Sequence, residues 1–229
     1  MNILAIGAHP DDIEIFMYGI LALFKNRGDI VSTIIATDGS LGGEGSKKKL
    51  MVSRQKESTL ALKEFGKPHF LKIPDGQLGD IIDHKYKLKR KIELLKPDLI
   101  ITHYWLDYHS DHRNLSKLVN EIAGHYIPII YCDTMMGVNF NPSHYINITS
   151  VFNLKKKSIS FHKTQNPKRF YDLIELMNSY RAAQCNMPKG NYAEAFYFEK
   201  SFPFSSIDKY LPNSPDLIQF NIKKQYGFL

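Results

Sequence analysis

The stretch His9-Pro10-Asp11-Asp12 places an imidazole and two carboxylates within four residues. It follows the apolar run NILAIG, which predicts a strand over residues 2–7. Pro10 keeps His9 extended, because the residue before a proline is disfavoured in the helical region. One aspartate suffices to cap a following helix, whereas two adjacent carboxylates repel each other unless a cation lies near them. The stretch therefore indicates either a helix cap or a divalent metal site with its activated water.

A second cluster of the same residue types follows another apolar run, DLIITHY at 98–104. Its members are His103, Asp107, His109, Asp111 and His112. Catalytic zinc takes three protein ligands from His, Asp or Glu and leaves one position open for water. Mixed nitrogen and oxygen donors without thiolates suit zinc and also admit other divalent ions. The two clusters together favour a metal or catalytic site built from two histidines and one carboxylate.

Alternating strand and helix patterns must position these clusters. The predicted strands cover residues 2–7, 31–37, 68–73, 98–104 and 128–133, and the predicted helices cover 12–26, 48–65, 84–95 and 111–123. This order predicts an α/β fold, a Rossmann-like and mostly parallel sheet with helices on both faces. Ligands of such sheets bind beyond the carboxyl ends of the strands, where both clusters lie. A dinucleotide site is excluded, because GAHPDD stands where G-x-G-x-x-G is needed.

The rest of the chain is less regular and is interpreted as an irregular C-terminal cap, with helices at 153–163 and 167–180 and a tail. We expect a single domain over residues 1–229, with a core at about 1–135 and a cap and tail at about 136–229. A chain of 229 residues with 43% hydrophobic residues suits one globular domain. No apolar run is long enough to span a membrane, and the N-terminus lacks the pattern of a signal peptide. With only two cysteines, a cytoplasmic location is expected.

The formal charge of +7 permits an anionic partner. The basic residues fall in separate groups at 47–49, 85–91 and 155–157, without the interleaved aromatics of a base-stacking surface. We interpret them as solvated helix faces and expect no nucleic acid partner. The glycine-rich loop at 40–46 is open to two interpretations, a lid over a ligand or a solvated tether.

These motifs resemble the PIG-L/LmbE-like zinc-dependent N-acetylglucosaminyl deacetylases, and the likeness is greatest to the bacterial branch that contains the bacillithiol-pathway deacetylases. The resemblance rests on AHPDD at 8–12 and HSDH at 109–112. Supporting matches are TDG at 37–39, Arg54, Glu57, Pro74-Asp75-Gly76, INIT at 146–149, Lys157, HKTQ at 162–165 and YAEAF at 192–196. Together they span roughly residues 2–200.

The resemblance implies a role for each matching position. The implied metal ligands are His9, Asp12 and His112. Asp11 matches the general base, and His109 matches the histidine that stabilises the oxyanion and assists the leaving amine. Asp111 matches the carboxylate that orients or tunes that histidine.

Arg54 and Tyr192 match residues that contact the substrate. A departure from the family pattern lies just after the aspartate pair, where Phe16 and Tyr18 replace smaller residues and add bulk near the site.

The implied activity is metal-dependent removal of an N-acetyl group from an N-acetylglucosamine-type conjugate, giving acetate and a free amino sugar. Zn²⁺ is the expected ion, with another divalent metal such as Fe²⁺ as the alternative. The expected partner is a small-molecule amino-sugar conjugate, and the family's self-association leads us to expect a homo-oligomer. Two alternatives stay open: a metal-dependent esterase or phosphoesterase, and a non-catalytic sugar-binding protein of the same fold.

Overall fold

The computed structural model describes residues 1–79 and 81–216. Within them, seven strands form one sheet. The strands are β1 Asn2–Gly7, β2 Ile30–Thr37, β3 His69–Ile73, β4 Leu99–Thr102, β5 Ile129–Cys132, β6 His144–Asn147 and β7 Ala193–Tyr197. The α-helices are α1 Asp12–Phe16, α2 Tyr18–Asn26, α3 Lys47–Ala61, α4 Ile82–Leu95, α5 Ser110–Ala123, α6 Phe152–Ile159 and α7 Pro167–Gln184. The end of the expected tail, 217–229, lies outside the described residues.

The strand order is β3-β2-β1-β4-β5-β7-β6. The first five strands pair in parallel, whereas β7 is antiparallel to both β5 and β6. The direction of winding reverses between β1 and β4, which are direct neighbours. Such a reversal opens a crevice at the carboxyl ends of the two strands. Each of the two sequence clusters follows one of these strands, so the fold brings them to one place.

Strand β1 shows why both faces of the sheet are covered. Ile3 and Ala5 point into one hydrophobic core, while Leu4 and Ile6 point into the other. Alternate residues of a strand face opposite sides, so a run that is apolar throughout predicts burial on both faces. The first core holds α1, α2, α6 and α7, and the second holds α4 and α5. The predicted α/β class with helices on both faces is confirmed.

The predicted helix 12–26 is two helices, because the backbone at Met17 is not helical. The carboxylate of Glu194 in β7 accepts hydrogen bonds from the backbone N–H groups of Gly19 and Ile20, each at 2.8 Å. A Cβ at Gly19 would lie 2.8 Å from that carboxylate. The break therefore leaves the backbone N–H groups in the first turn of α2 available to the Glu194 carboxylate, which caps this helix from a strand distant in sequence.

The cap contributes two strands to the same sheet, which the sequence analysis did not predict. Its helices lie at Phe152–Ile159 and Pro167–Gln184, close to the expected 153–163 and 167–180. The lysine group at 155–157 was interpreted as a solvated face, and this is wrong for Lys155. That residue is 1% exposed, and its Nζ lies 2.7 Å from Glu194. Among the described residues, no helix combines the length and apolarity needed to cross a membrane.

Candidate metal centre and its cavity

Three donor atoms converge where the turns after β1 and β4 meet. His9 Nδ1, Asp12 Oδ2 and His112 Nε2 lie 3.3 Å from one another in each of the three pairs. A tetrahedral ion with bonds of about 2.0–2.1 Å needs neighbouring donors about 3.3 Å apart. All three residues are buried. The donor set therefore has the spacing and chemistry that a divalent ion such as zinc requires.

The local backbone explains this convergence. Pro10 keeps His9 at the end of β1, and the backbone N–H of His9 donates to Asp12 Oδ2 at 2.7 Å. His112 lies in the first turn of α5, which begins at Ser110. The His109 side chain caps that helix, because its Nδ1 accepts a hydrogen bond from the backbone N–H of Asp111 at 3.2 Å.

Carboxylates contact the outward nitrogens of both histidine rings. His9 Nε2 lies 3.2 Å from Asp75 Oδ1 and 3.2 Å from Asp111 Oδ2. His112 Nδ1 lies 3.1 Å from Asp107 Oδ2. Histidines that bind metals almost always present their second nitrogen to a carboxylate, a carbonyl or water. Asp75 and Asp107 had no role predicted from the sequence, although Asp75 belongs to a Pro-Asp-Gly turn and Asp107 to the second cluster.

His103 forms a further layer beneath these donors. Its ring stacks on that of His112, with centroids 3.7 Å apart. Its Nε2 lies 3.1 Å from Asp12 Oδ2 and also 3.1 Å from the backbone nitrogen of Ala8, which donates to it. His103 thus completes an alternative donor group with Asp12 and His112, but its Nε2 already accepts a hydrogen bond from the backbone.

The electrostatics of the donors reflect burial opposed by close partners. Burial disfavours the charged form of His112, but Asp12 and Asp107 outweigh it and raise its pKa to about 9. Burial likewise opposes ionisation of Asp12, and His112 and His103 hold its pKa well below the usual range. For His103, burial and the neighbouring His112 lower the pKa to about 4. The carboxylates thus favour a positive charge at the point where the donors meet.

Asp11 has an unusual backbone and a buried carboxylate. Its φ is 125°, and its side chain makes no hydrogen bond to the helix that follows. A non-glycine residue in such a region costs of order 1–3 kcal/mol, and these residues cluster at functional sites. Burial raises the pKa of Asp11, while Arg54 opposes the increase. Asp11 therefore does not act as the side-chain cap considered for one of the two aspartates.

Arg54 joins the Asp11 turn to the loop after β2. It is 3% exposed, and its Nη2 donates to Asp11 Oδ2 at 3.0 Å and to the Pro10 carbonyl at 2.7 Å. Its Nη1 donates to the Gly39 carbonyl at 2.9 Å. A Cβ at Gly42 would lie 2.0 Å from Nη1. The loop backbone encloses the guanidinium, which requires glycine at position 42.

The other residues with expected roles take different positions. His109 borders the cavity, whereas the Asp111 carboxylate contacts His9 and accepts hydrogen bonds from the N–H groups of Gly76 and Leu78. The resemblance implied that Asp111 orients His109. The hydrogen bond between these two residues uses the backbone of Asp111 instead.

Tyr192 is not brought to this site. Its ring stacks on Phe152 with centroids 3.6 Å apart, and it is absent from the described residues that line the cavity. Phe16 and Tyr18 were both expected to add bulk near the site, and only one of them does. Phe16 lines the cavity, but Tyr18 is buried in the core with its ring 5.1 Å from Phe65.

A cavity of about 450 Å³ opens over the donor atoms. Its lining combines the donor triangle, Asp11 and His109 with further polar residues and with apolar ones. The further polar residues include Arg54, Gln165 and Arg169, and the apolar ones are Ile15, Phe16, Leu41, Met135 and Phe170. The first part of the loop at 40–46 is fixed. Leu41 N–H donates to Asp75 Oδ2 at 2.9 Å, and the Gln165 side chain donates to the Gly42 carbonyl. These contacts restrain Leu41 and Gly42, which both line the cavity.

Fold and site together define the class: an α/β protein with histidine and aspartate donors at the switch point of a Rossmann-like sheet. The chain belongs to the PIG-L family, because the family model described as GlcNAc-PI de-N-acetylase matches residues 4–123, more than half of the chain. It is thus a member of a deacetylase family, as the resemblance predicted.

Individual proteins are similar to this chain in sequence or in fold. A diacetylchitobiose deacetylase of Thermococcus kodakarensis is 26% identical over 196 residues, which cover 76% of this chain and 73% of the relative. The solved N,N'-diacetylchitobiose deacetylase of Pyrococcus horikoshii has a TM-score of 0.75 at 22% identity, with 86% of this chain and 83% of that one covered. The 4-carboxy-2-hydroxymuconate hydratase GalB of Pseudomonas putida has a TM-score of 0.74 at 19% identity, covering 86% and 95%. Both structural likenesses concern the fold alone.

Proposed function

We propose that this chain is a metal-dependent hydrolase that removes the N-acetyl group from an N-acetylglucosamine-type conjugate. The observation that carries the proposal is the triangle of His9 Nδ1, Asp12 Oδ2 and His112 Nε2, with 3.3 Å sides. Two of the three donor atoms are nitrogens, which favours zinc over Mg²⁺, because Mg²⁺ prefers oxygen ligands. This donor set also argues against the oxygen-rich site expected of a magnesium phosphoesterase.

The proposed roles are those that the family resemblance implies, and the geometry of the site supports them. A bound zinc ion supplies Lewis-acid polarisation of the acetamide and lowers the pKa of the attacking water. Asp11 accepts the proton of that water, since it borders the cavity beside the donors and is not itself a member of the triangle. Arg54 fixes the Asp11 carboxylate and lies in the cavity wall, where it can also contact the sugar.

His109 is proposed to stabilise the developing oxyanion. Its Nδ1 accepts a backbone hydrogen bond, so in the neutral ring the proton resides on Nε2, which can donate. The donor assists the leaving amine as well, and a preorganised donor of this kind typically contributes about 10²–10³ in rate. Asp111 is proposed to position His9 together with Asp75, in place of the orienting role toward His109.

The experiment measures free-amine release from a panel of N-acetylglucosamine conjugates, with zinc content determined on the same samples. We expect Asp11→Asn to retain zinc and to lose about 10²–10⁴ in kcat. His112→Ala should lose zinc as well as activity. Undiminished turnover by Asp11→Asn would remove Asp11 as the base, and full zinc occupancy in His112→Ala would remove His112 as a ligand. A folded, zinc-loaded protein that releases no amine from any conjugate would refute the activity.

Three further expectations belong to the same proposal. The partner is a small amino-sugar conjugate and not a nucleic acid, the location is cytoplasmic, and the protein self-associates into a homo-oligomer. The single domain over 1–229 is a proposal too, supported by the two strands that the cap adds to the sheet.

A further inference from the structure

A second cavity, of about 360 Å³, lies between the end of β5 and helix α7. Apolar side chains form most of its wall: Met136, Phe140, Pro142, Leu176, Met177 and Tyr180. Three of them are half-exposed although they are large, with Met136 at 49%, Leu176 at 56% and Tyr180 at 55%. This volume and this type of lining are typical of small-molecule sites.

The two cavities share their structural elements. The short 3-10 helix Met135–Gly137 contributes Met135 to the metal-side cavity and Met136 to the second one. Helix α7 contributes Phe170 to the first and Leu176 to the second. Six residues of helix correspond to about 9 Å along its axis. The two cavities therefore lie at neighbouring positions along α7 and on adjacent residues of the turn Met135–Gly137.

The shared turn is held in one shape. Met136 and Asn139 have left-handed backbones, with φ of 56° and 57°. A Cβ at Gly137 would lie 2.7 Å from Arg181 Nη2, so glycine is needed there. Side chains fixed by such unfavourable backbones cluster at ligand sites. The turn holds Met136 at the edge of the cavity.

The charged groups in the wall are already paired, and Asn141, which also lines the cavity, is exposed. Arg181 donates to both carboxylate oxygens of Asp133, at 2.6 and 2.9 Å, and to Gln184 Oε1 at 2.7 Å. An anionic ligand would gain little from Arg181, because the charge of Arg181 is already balanced by Asp133. A polyhydroxylated ligand would give up hydrogen bonds to water without finding buried replacements. The wall therefore favours an uncharged apolar group.

We propose that this second cavity binds an uncharged alkyl or aryl group, and that this group is the aglycone of the amino-sugar conjugate. The inference rests on the proposed deacetylase function for the identity of the sugar, and on the cavity itself for the chemistry of the aglycone. It places the specificity for the conjugate in the cap, on α7 and the turn Met135–Gly137.

Calorimetric titration of the zinc-loaded full chain with 4-phenylbutyl β-D-glucoside tests the site without any deacetylation, because this probe has no acetamide. The variant Leu176→Glu places a carboxylate at the edge of the cavity. Its matched control is Leu154→Glu, which changes a leucine of α6 that is 44% exposed and does not line the cavity. We expect Leu176→Glu to weaken binding by about tenfold or more, and Leu154→Glu to bind like the unaltered protein. Equal binding by both variants, or no saturable binding at all, would overturn the proposal.

Kinetics separate this inference from the proposed function. The ratio of kcat/KM for the phenylbutyl over the methyl N-acetylglucosaminide should exceed about tenfold and should collapse in Leu176→Glu. Absence of amine release from both substrates would refute the deacetylase, while the titration would still decide whether the cavity binds the apolar group. A smaller oligomer for Leu176→Glu in light scattering, with unchanged probe binding, would assign the surface to contact between copies and overturn the aglycone site.

Discussion

Asp107 contacts the outward nitrogen of the His112 ring, 3.1 Å from Nδ1. Removing the charge without changing the shape should loosen the ring orientation and lower the basicity of its inner nitrogen. We expect Asp107→Asn to weaken zinc affinity by about 10–100-fold, measured by competition with a chelating dye. The control is Asp172→Asn, an exposed aspartate of α7. Equal zinc affinity in the two variants would show that Asp107 does not act on the ligand.

The enclosure of Arg54 leads to a second residue-scale prediction. In Gly42→Ala the new methyl group must displace the guanidinium, because its position lies 2.0 Å from Nη1. Asp11 then loses its partner, and a displacement of about 1 Å can cost about 10² in rate. We expect kcat to fall by at least about tenfold, with zinc content unchanged. In the control Gly79→Ala, the Cβ meets only a carbonyl at 4.0 Å, so that variant should keep full turnover. Full activity in Gly42→Ala would contradict a positioning role for Arg54.

Residue types and spacing predicted a metal or catalytic site where the two clusters meet, because both follow strands that end at one edge of the sheet. The choice of His9, Asp12 and His112 among their residues came from the family resemblance. Residue types and spacing could not predict Asp75, which comes from a third strand and meets His9 only after the sheet has formed. The sequence also could not predict which histidine the Asp111 carboxylate contacts, because a carboxylate in the first turn of α5 can turn toward either His9 or His109. Tyr192 was expected at the site from a local motif, whose position in space depends on how β7 joins the sheet.

At the scale of elements, Glu194 connects β7 with α2 and α6. Its carboxylate accepts two backbone N–H groups of α2 and pairs with Lys155, and both side chains are about 2% exposed or less. Glu194→Gln leaves an ammonium group buried without its counter-charge, which should lower the free energy of unfolding by about 3–5 kcal/mol. Urea denaturation measures the change.

Two comparisons sharpen this test. Glu175→Gln breaks an exposed pair with Lys156 at 3.2 Å and should cost less than about 1 kcal/mol. The double variant Glu194→Gln/Lys155→Met removes both charges and should be more stable than Glu194→Gln alone. If Glu194→Gln and Glu175→Gln destabilise equally, the buried pair is not the connection that the structure indicates.

The strands and helices of the first 135 residues followed from periodicity, with ends displaced by a few residues. Strands β6 and β7 did not, because their composition is mixed, whereas the similarly short β4 and β5 are nearly continuous apolar runs. The division of the first helix at Met17 was also unpredictable. It depends on the approach of Glu194 to Gly19, a contact between residues 175 positions apart.

For the whole molecule, a ligand that binds only the folded chain must stabilise it. At a free zinc concentration about 100 times Kd, the gain is about 2.7 kcal/mol, which corresponds to an increase in Tm of roughly 5–10 °C for a chain of this size. We expect EDTA treatment to lower Tm by this amount and zinc to restore it, measured by scanning calorimetry. His112→Ala should show neither change. A Tm of the unaltered protein that is indifferent to EDTA and zinc would argue against a metal at this site.

The distance along the chain between the two ligand-bearing turns has a consequence for biosynthesis. His9 and Asp12 leave the ribosome early, but their partner His112 is 103 residues behind His9. Before His112 in the first turn of α5 emerges, a nascent chain offers only two donors of the triangle, too few for tight binding. At the proposed metal centre, metal capture would therefore follow pairing of β1 with β4, and we expect a chain stalled before residue 112 to stay metal-free. Zinc retention can be measured on ribosome-bound chains of increasing length. The shortest chain that retains zinc would show when β1 and β4 have paired.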